Sequence, residues 1–158
     1  IHDLGKGTTP KNEGPRHIAH EHRGLKLVRG LCQRLAVPNQ HRDLALLVCE
    51  YHTHSHRARA LRGKTLMKLL TATDALRRPE RFDQFLLACE ADARGRQGME
   101  QGDYPQADYL RRALTVAQAV KTGPLVEQGI SGKALGQALV AERVKQLEAL
   151  RQSQDSTE

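Results

Sequence analysis

The chain has 158 residues, which is the size of one domain with at most a small appendage, and it needs neither a disulfide nor a structural metal for stability. Aromatic residues make up only 3% of the chain and tryptophan is absent, so the core must be aliphatic, which favours helices over strands. The net charge of +7 favours a polyanionic partner, and nucleic acid comes first among these.

The three cysteines, Cys32, Cys49 and Cys89, lie far apart in apolar stretches and form no CxxC pair. Their odd number and their spacing argue against a disulfide framework and against a zinc site. We interpret them as buried free thiols in a reducing compartment. No apolar run approaches the ~20 residues of a membrane span, and no signal peptide is visible. We therefore expect a cytoplasmic protein with no membrane partner.

Glycines, prolines and the spacing of apolar residues divide the chain into helices and loops. In chain order, the pattern first predicts the end of a helix over residues 1–4, a loop over 5–15, and helices over 17–36 and 40–53. A polar loop or frayed helix over 54–63 and a further helix over 64–77 follow. Pro79 can begin the next helix, because a first turn does not need its missing N–H. The pattern then predicts a helix, a glycine-rich loop and two more helices over residues 79–93, 95–105, 106–121 and 132–150.

Gly123-Pro124 is the best internal boundary, since it interrupts the helical pattern between two apolar stretches. We divide the chain into a domain of residues 1–122, a helical tail of residues 123–150 and a polar end of residues 151–158. The polar end is expected to be disordered. The sequence contains no alternating strand pattern, so the predicted fold class is all-α.

The adjacent residues His2 and Asp3 are the first candidates for chemistry. Successive side chains on a helix diverge by about 100°, so neighbours meet the same ligand only near a helix end. An imidazole with a carboxylate suits a borderline divalent metal such as Ni, Co, Mn or Fe, with Mg bound more weakly. The dipeptide alone is usually surface decoration, and its interpretation depends on residues elsewhere.

Histidines further along the chain are the second group of candidates. His20 begins the segment His-Glu-His-Arg-Gly at a helix start, from where it can face a cleft. His52 ends an apolar helix and is followed by His54 and His56. One of these three is expected to be a ligand or an acid–base group, and His52 is the best supported. A chance cluster of exposed histidines is the alternative.

Asp74 is the third candidate. It follows Leu70 by four residues, which predicts that it lies on the buried face of an apolar helix. A buried carboxylate is costly unless it is paired or bound to a metal. A metal is one partner that would satisfy it, and a salt bridge to Arg77 or Arg78 is the alternative.

Four segments in this order resemble the HD superfamily of metal-dependent phosphohydrolases, namely His2-Asp3, His20-Glu-His-Arg-Gly24, Tyr51-His52 and Thr-Asp74-Ala-Leu-Arg. Longer stretches around them resemble the HD domain of bacterial multifunctional CCA-adding enzymes, which are tRNA nucleotidyltransferases. The resemblance covers most of residues 1–122. The segment Gly-Ile-Ser-Gly-Lys-Ala-Leu-Gly and the helix after it resemble the C-terminal tail region of that family.

The resemblance implies an HD-type helical bundle with a C-terminal helical extension. It also implies 2′,3′-cyclic phosphodiesterase, 2′-nucleotidase and phosphatase activities with Ni or Mg, Mn and Co being further options. In this interpretation a divalent metal polarises a phosphoryl oxygen and lowers the pKa of water. The metal ligands are expected to be His2, Asp3 and Asp74, and the residues expected to bind phosphate or move protons are His20, His52 and Lys6.

The family also implies partners. These are tRNA, nucleotide 2′-phosphate or 2′,3′-cyclic phosphate substrates, and an N-terminal nucleotidyltransferase head that adds CCA. The head and a further upstream histidine ligand would precede residue 1, so we expect a C-terminal fragment whose HD domain is truncated at its N-terminus. A second copy of the chain, forming a homodimer, is a further candidate partner.

A non-catalytic function is the competing hypothesis. The densest basic run of the chain consists of Arg57, Arg59, Arg62, Lys64 and Lys68. It suits contact with tRNA phosphates, which adds affinity that is salt-dependent and blind to sequence, and it suits a solvated face equally well. The chain would then be a helical tRNA-binding body whose histidines are remnants. A nucleotide-sensing regulatory domain has less support.

Overall fold

The computed structural model describes residues 1–155, and this part of the chain contains helices and no strand. The all-α prediction is therefore confirmed for the described residues. The helices are α1 (His20–Arg34), α2 (Asn39–His56), α3 (Gly63–Ala72), α4 (Pro79–Arg94), α5 (Pro105–Ala119), α6 (Gly123–Glu127) and α7 (Gly132–Asp155), with short 3-10 helices at Leu4–Thr8 and Ala58–Ala60. None of the described helices combines the length and the apolar character that crossing a bilayer requires.

Two apolar clusters hold the helices together. The larger cluster joins α2, α3, α4, α5 and α7, and its buried members include Val48, Leu66, Phe82, Leu110 and Leu147. The smaller cluster lies between α1 and α2 and consists of Val28, Cys32 and Cys49. Since α2 contributes to both clusters, it is the helix that fixes α1 relative to the main core. The cysteines are free and buried, as the sequence predicts.

Proline marks the first position of two helices. Pro79 begins α4, which confirms the prediction, and Pro105 begins α5 one residue earlier than predicted. At this position the fixed backbone angle of proline suits the helix and its missing N–H leaves no hydrogen bond unmade. Tyr104, directly before Pro105, is thereby held at the N-terminal end of α5.

Several predicted boundaries are wrong. Residues 2 and 3 form a turn before the 3-10 helix Leu4–Thr8, where a helix end and a loop were predicted. Helix α2 continues to His56 instead of ending at residue 53, and α3 ends at Ala72 instead of residue 77. Helix α7 continues through the predicted disordered end as far as Asp155, while residues 156–158 lie outside the described residues.

Candidate metal centre

His20 and His52 point the same ring atom at each other. His20 is the first residue of α1, and its Nδ1 lies 3.0 Å from the carbonyl oxygen of His17. His52 lies near the end of α2, and its Nδ1 is 2.9 Å from the carbonyl oxygen of Val48. A carbonyl oxygen only accepts hydrogen bonds, so these partners assign the hydrogen of each neutral ring to Nδ1. Both Nε2 atoms then carry lone pairs.

Asp3 completes a convergence of acceptor atoms. The two Nε2 atoms are 3.3 Å apart, and Asp3 Oδ1 lies 3.2 Å from that of His20 and 3.6 Å from that of His52. Oδ1 is buried and has no hydrogen-bond partner within residues 1–155. Three lone-pair atoms at these distances repel one another unless a proton or a cation lies among them. The arrangement therefore fits a bound cation.

His2 extends the same group. Its Nε2 is buried, lies 3.5 Å from Asp3 Oδ2 and has no hydrogen-bond partner in the described part of the chain. Its ring meets that of His52 edge-on, with 4.7 Å between the ring centroids. One ligand atom from each of His2, Asp3 and His52 lies within 4.8 Å of the other two. Two imidazole nitrogens and a carboxylate oxygen are a donor set that suits divalent first-row metals.

Lys6 orients Asp3. The Lys6 ammonium donates a hydrogen bond of 2.6 Å to Oδ2, which turns the other carboxylate oxygen toward the imidazoles. Burial raises the pKa of Asp3, but the hydrogen bond from Lys6 and the charge of His2 outweigh burial. The pKa of Asp3 is thus held below its ordinary value, and the carboxylate stays ionised at neutral pH.

His52 is held in the form that binds metals. Burial and the neighbouring charge of His2 lower the pKa of His52 below its ordinary value, although the Val48 carbonyl works in the opposite direction. A neutral imidazole at pH 7 can donate its Nε2 lone pair to a cation. The sequence placed His52 among the catalytic residues, and the structure groups it with His2 and Asp3.

Two further side chains border the site: His56, which the sequence analysis offered only as a member of the cluster with His52 and His54, and Asp92, which it did not indicate. The His56 Nε2–H donates to Asp92 Oδ2 over 2.7 Å, and Asp92 Oδ1 lies 3.3 Å from His2 Nε2. A signal for each was present. His56 follows His52 by four residues and shares its helix face, while Asp92 follows the buried residues Phe85 and Cys89 by seven and three residues.

Asp74 lies outside this group. Because α3 ends at Ala72, Asp74 occupies a turn with φ of 56°, and its side chain is 29% exposed rather than buried on a helix face. Its carboxylate accepts hydrogen bonds from Arg77 and pairs with Arg78 at 3.4 Å. The salt-bridge alternative therefore describes the contacts of Asp74.

A cavity of about 300 Å³ opens beside the group. His2 and Asp92 contribute to its lining, and apolar side chains of α2 and α4, Leu44, Ala45, Val48 and Ala88, form its wall. Small-molecule sites commonly combine such an apolar wall with a few polar groups. The cavity gives a ligand room next to the imidazoles and carboxylates.

The fold and the site together define an all-α protein with a His/Asp group that could hold a metal ion. The chain is 55% identical over 153 residues to the multifunctional CCA protein of Pseudomonas fluorescens (strain Pf0-1), a match that covers 97% of this chain and 37% of that protein. It is 56% identical over 153 residues to the multifunctional CCA protein of Pseudomonas syringae pv. syringae (strain B728a), covering 97% and 38%. The multifunctional CCA protein of Alkalilimnicola ehrlichii is 55% identical over 150 residues, covering 95% and 36%.

The chain is thus similar over almost its whole length to part of the multifunctional CCA proteins, and it spans about 37% of the length of the curated relatives that it matches. No model of a protein family matches the chain, and no solved structure matches it.

Proposed function

We propose that the chain is the metal-dependent phosphohydrolase part of a tRNA CCA-adding and repair enzyme, with HD-type chemistry. Its activities would be 2′,3′-cyclic phosphodiesterase, 2′-nucleotidase and phosphatase. The observation that carries the proposal is the convergence of Asp3 Oδ1 with the Nε2 atoms of His20 and His52, all three oriented as acceptors. Similarity to the multifunctional CCA proteins supports tRNA and its 3′-terminal nucleotides as partners.

The residues that would hold the metal are His2, Asp3 and His52, with His20 and Asp92 beside them. Nitrogen and oxygen donors in this mixture suit Ni, Mn or Co, and Mg more weakly. A divalent ion bound there would supply Lewis-acid polarisation of a phosphoryl oxygen and activation of a water molecule.

His20 and Lys6 would act on the substrate. The Nε2 of His20 lies at the edge of the group, 3.2 Å from Asp3, where it can accept a proton or donate one to a leaving oxygen. The Lys6 side chain is 41% exposed, so its ammonium can reach a phosphate oxygen from the solvent side while it still orients Asp3. The apolar wall of the neighbouring cavity would exclude water and receive the sugar or the base of a nucleotide.

The test measures phosphate release by the 158-residue chain from a chromogenic phosphate ester and from adenosine 2′,3′-cyclic phosphate, with Ni, Mn, Co or Mg added. We expect metal-dependent release that a chelator abolishes and that Asp3→Ala lowers by more than about 100-fold, since it removes a ligand outright. Asp74→Ala is the matched control. It removes a carboxylate that is paired with arginines outside the group, and it is expected to leave the rate unchanged.

A second function has its own supporting observation. The basic residues Arg57, Arg59, Arg62, Lys64 and Lys68 are all exposed. Such a surface suits a non-catalytic tRNA-binding body, whose affinity would fall steeply with salt. Metal-loaded protein that hydrolyses neither ester but still binds tRNA would refute the enzyme proposal and favour this one.

A further inference from the structure

A chain of hydrogen bonds leads from the core to the candidate metal centre. Ser55 Oγ lies 2.9 Å from the Tyr104 hydroxyl, which lies 3.0 Å from His56 Nδ1. His56 Nε2 lies 2.7 Å from Asp92 Oδ2, and the other oxygen of Asp92 faces His2. These side chains come from α2, from α4 and from the residue that precedes α5, so the chain links three elements of the fold.

The partners set the direction of the hydrogen bonds. Asp92 Oδ2 lies 2.7 Å from His56 Nε2, and a carboxylate offers only acceptor atoms for hydrogen bonds. His56 must therefore donate from Nε2, and its Nδ1 accepts while the ring is neutral. Tyr104 is then the donor to Nδ1, and its oxygen accepts from Ser55. Ser55 therefore donates to Tyr104, Tyr104 donates to His56, and His56 donates to Asp92.

We propose that Tyr104 is a positioning residue for the metal centre, because its hydroxyl fixes the tautomer and the ring plane of His56 and thereby holds the Asp92 carboxylate beside His2. This inference rests on the proposed function, since it assumes that a metal binds at His2, Asp3 and His52. The inference adds Tyr104, which lies about a hundred residues after His2 and Asp3 in the chain. The Tyr104 hydroxyl contacts none of the three ligands.

The surroundings of Tyr104 support a fixed rather than an adaptable contact. Tyr104 is only 8% exposed and Ser55 is fully buried, so water does not compete freely for the hydroxyl. Pro105 fixes the backbone directly after Tyr104 at the start of α5. Hydrogen bonds in series within a low-dielectric region also strengthen one another. Without the hydroxyl, His56 could place its hydrogen on either nitrogen, and the Asp92 carboxylate would lose a defined orientation.

The experiment titrates Co²⁺ alone into the full chain and measures Kd by calorimetry and by the visible absorption of the bound ion. Tyr104→Phe removes one oxygen atom and is expected to weaken Co²⁺ binding by about 10- to 100-fold, the usual effect of losing a partner that orients a ligand. Tyr51→Phe is the matched control, since the Tyr51 ring contacts His54 and its hydroxyl lies by Glu50, away from the chain of hydrogen bonds. It is expected to leave Kd unchanged.

A double variant separates positioning from general destabilisation. If Tyr104 acts through His56, Tyr104→Phe has no further effect on Kd once His56→Ala is present. If the effects of the two substitutions on Kd multiply in the double variant, the proposal is overturned. If Tyr104→Phe does not fold, His56→Ala breaks the same link at a side chain that is 19% exposed, and it must weaken binding by the same factor. If either variant binds Co²⁺ with the Kd of the wild type, the proposed role of Tyr104 is refuted and the metal centre is not. If the wild-type chain binds no Co²⁺, both the metal centre and the role of Tyr104 are refuted.

Discussion

His52 uses its two ring nitrogens for different purposes. Nδ1 is directed at the main-chain carbonyl of Val48 within its own helix, and Nε2 is directed at Asp3 and His20. His20 repeats the arrangement with the carbonyl of His17. Metal-binding histidines usually donate their second nitrogen in this way, which fixes the tautomer and the ring orientation. The backbone therefore holds both imidazoles with their Nε2 atoms directed at Asp3 Oδ1.

Asp74 and Asp92 show which property of single residues the sequence could not predict, namely which carboxylate lies beside the histidines. The sequence placed Asp74 on a buried face by counting four residues from Leu70, but counting fails once the helix ends at Ala72. Asp92 keeps helical register with buried Cys89 in α4, and it meets His56 from another helix. Helical spacing and family motifs could find His2, Asp3, His20 and His52. They could not decide which of two carboxylates reaches them, because that depends on how helices distant in sequence pack.

The 3-10 helix Leu4–Thr8 brings Asp3 to the imidazoles by lying directly on the start of α1. Gly5 makes this approach possible, because a Cβ on Gly5 would clash with the carbonyl oxygen of His20 and would lie 2.7 Å from the backbone nitrogen of Gly24. Any side chain at this position would displace the 3-10 helix, which contains Lys6 and directly follows Asp3. The contact is between backbones, so no side-chain rotation can relieve it.

Gly5→Ala is therefore expected to move Asp3 away from His20 and His52. We expect a loss of about 1–3 kcal/mol in the free energy of unfolding from overpacking, and metal binding about tenfold weaker or worse. Chemical denaturation and Co²⁺ titration measure the two effects. Gly7→Ala is the matched control in the same 3-10 helix, since a Cβ on Gly7 has no described atom within 4 Å. Equal effects of the two substitutions would contradict this account of Gly5.

Two helix ends differ from the sequence prediction, one because of tertiary contacts and the other because of local backbone angles. The polar residues after position 53 suggest a loop or a frayed helix, but α2 continues to His56 because Asp92 and Tyr104 hold the His56 side chain from outside the helix. Helix α1 begins at His20 rather than at residue 17, because His17 and Ala19 take positive φ values of 48° and 56°. Such angles in residues other than glycine are uncommon, and sequence spacing does not reveal them.

At the scale of the whole molecule, α7 belongs to the main core. The predicted boundary at Gly123-Pro124 coincides with the start of α6, yet Leu147 of α7 is fully buried in the cluster formed by α3, α4 and α5. Glu148 also accepts a hydrogen bond of 2.6 Å from the backbone N–H of Gly63, the first residue of α3. Helix α7 thus completes the main core and caps the N-terminal end of α3.

Leu147→Ala is expected to lower the free energy of unfolding by about 2–5 kcal/mol, since it removes a fully buried side chain and leaves a cavity. Urea denaturation followed by circular dichroism measures the change. Leu87→Ala makes the same substitution at a residue of α4 that is 64% exposed, and it is expected to change stability by no more than about 0.5 kcal/mol. A small effect at Leu147 would indicate that residues 123–155 form a separate tail after all.

The fold class could be predicted because it depends on composition and local spacing. Few aromatic residues, apolar side chains at helical intervals and prolines at helix starts all act within a few residues of the chain. The assembly of α7 with α3 and α5 could not be predicted in the same way. It depends on contacts such as that of Glu148 with Gly63, which are 85 residues apart and leave no local signature.

The most direct test of the metal centre is anomalous diffraction from crystals of the 158-residue chain soaked in Co²⁺ or Ni²⁺. We predict one strong anomalous peak about 2.0–2.3 Å from Asp3 Oδ1 and from the Nε2 atoms of His2 and His52, the usual range for these ligands. A peak at Asp74, or bound metal elsewhere on the protein with none among His2, Asp3 and His52, would contradict the central claim.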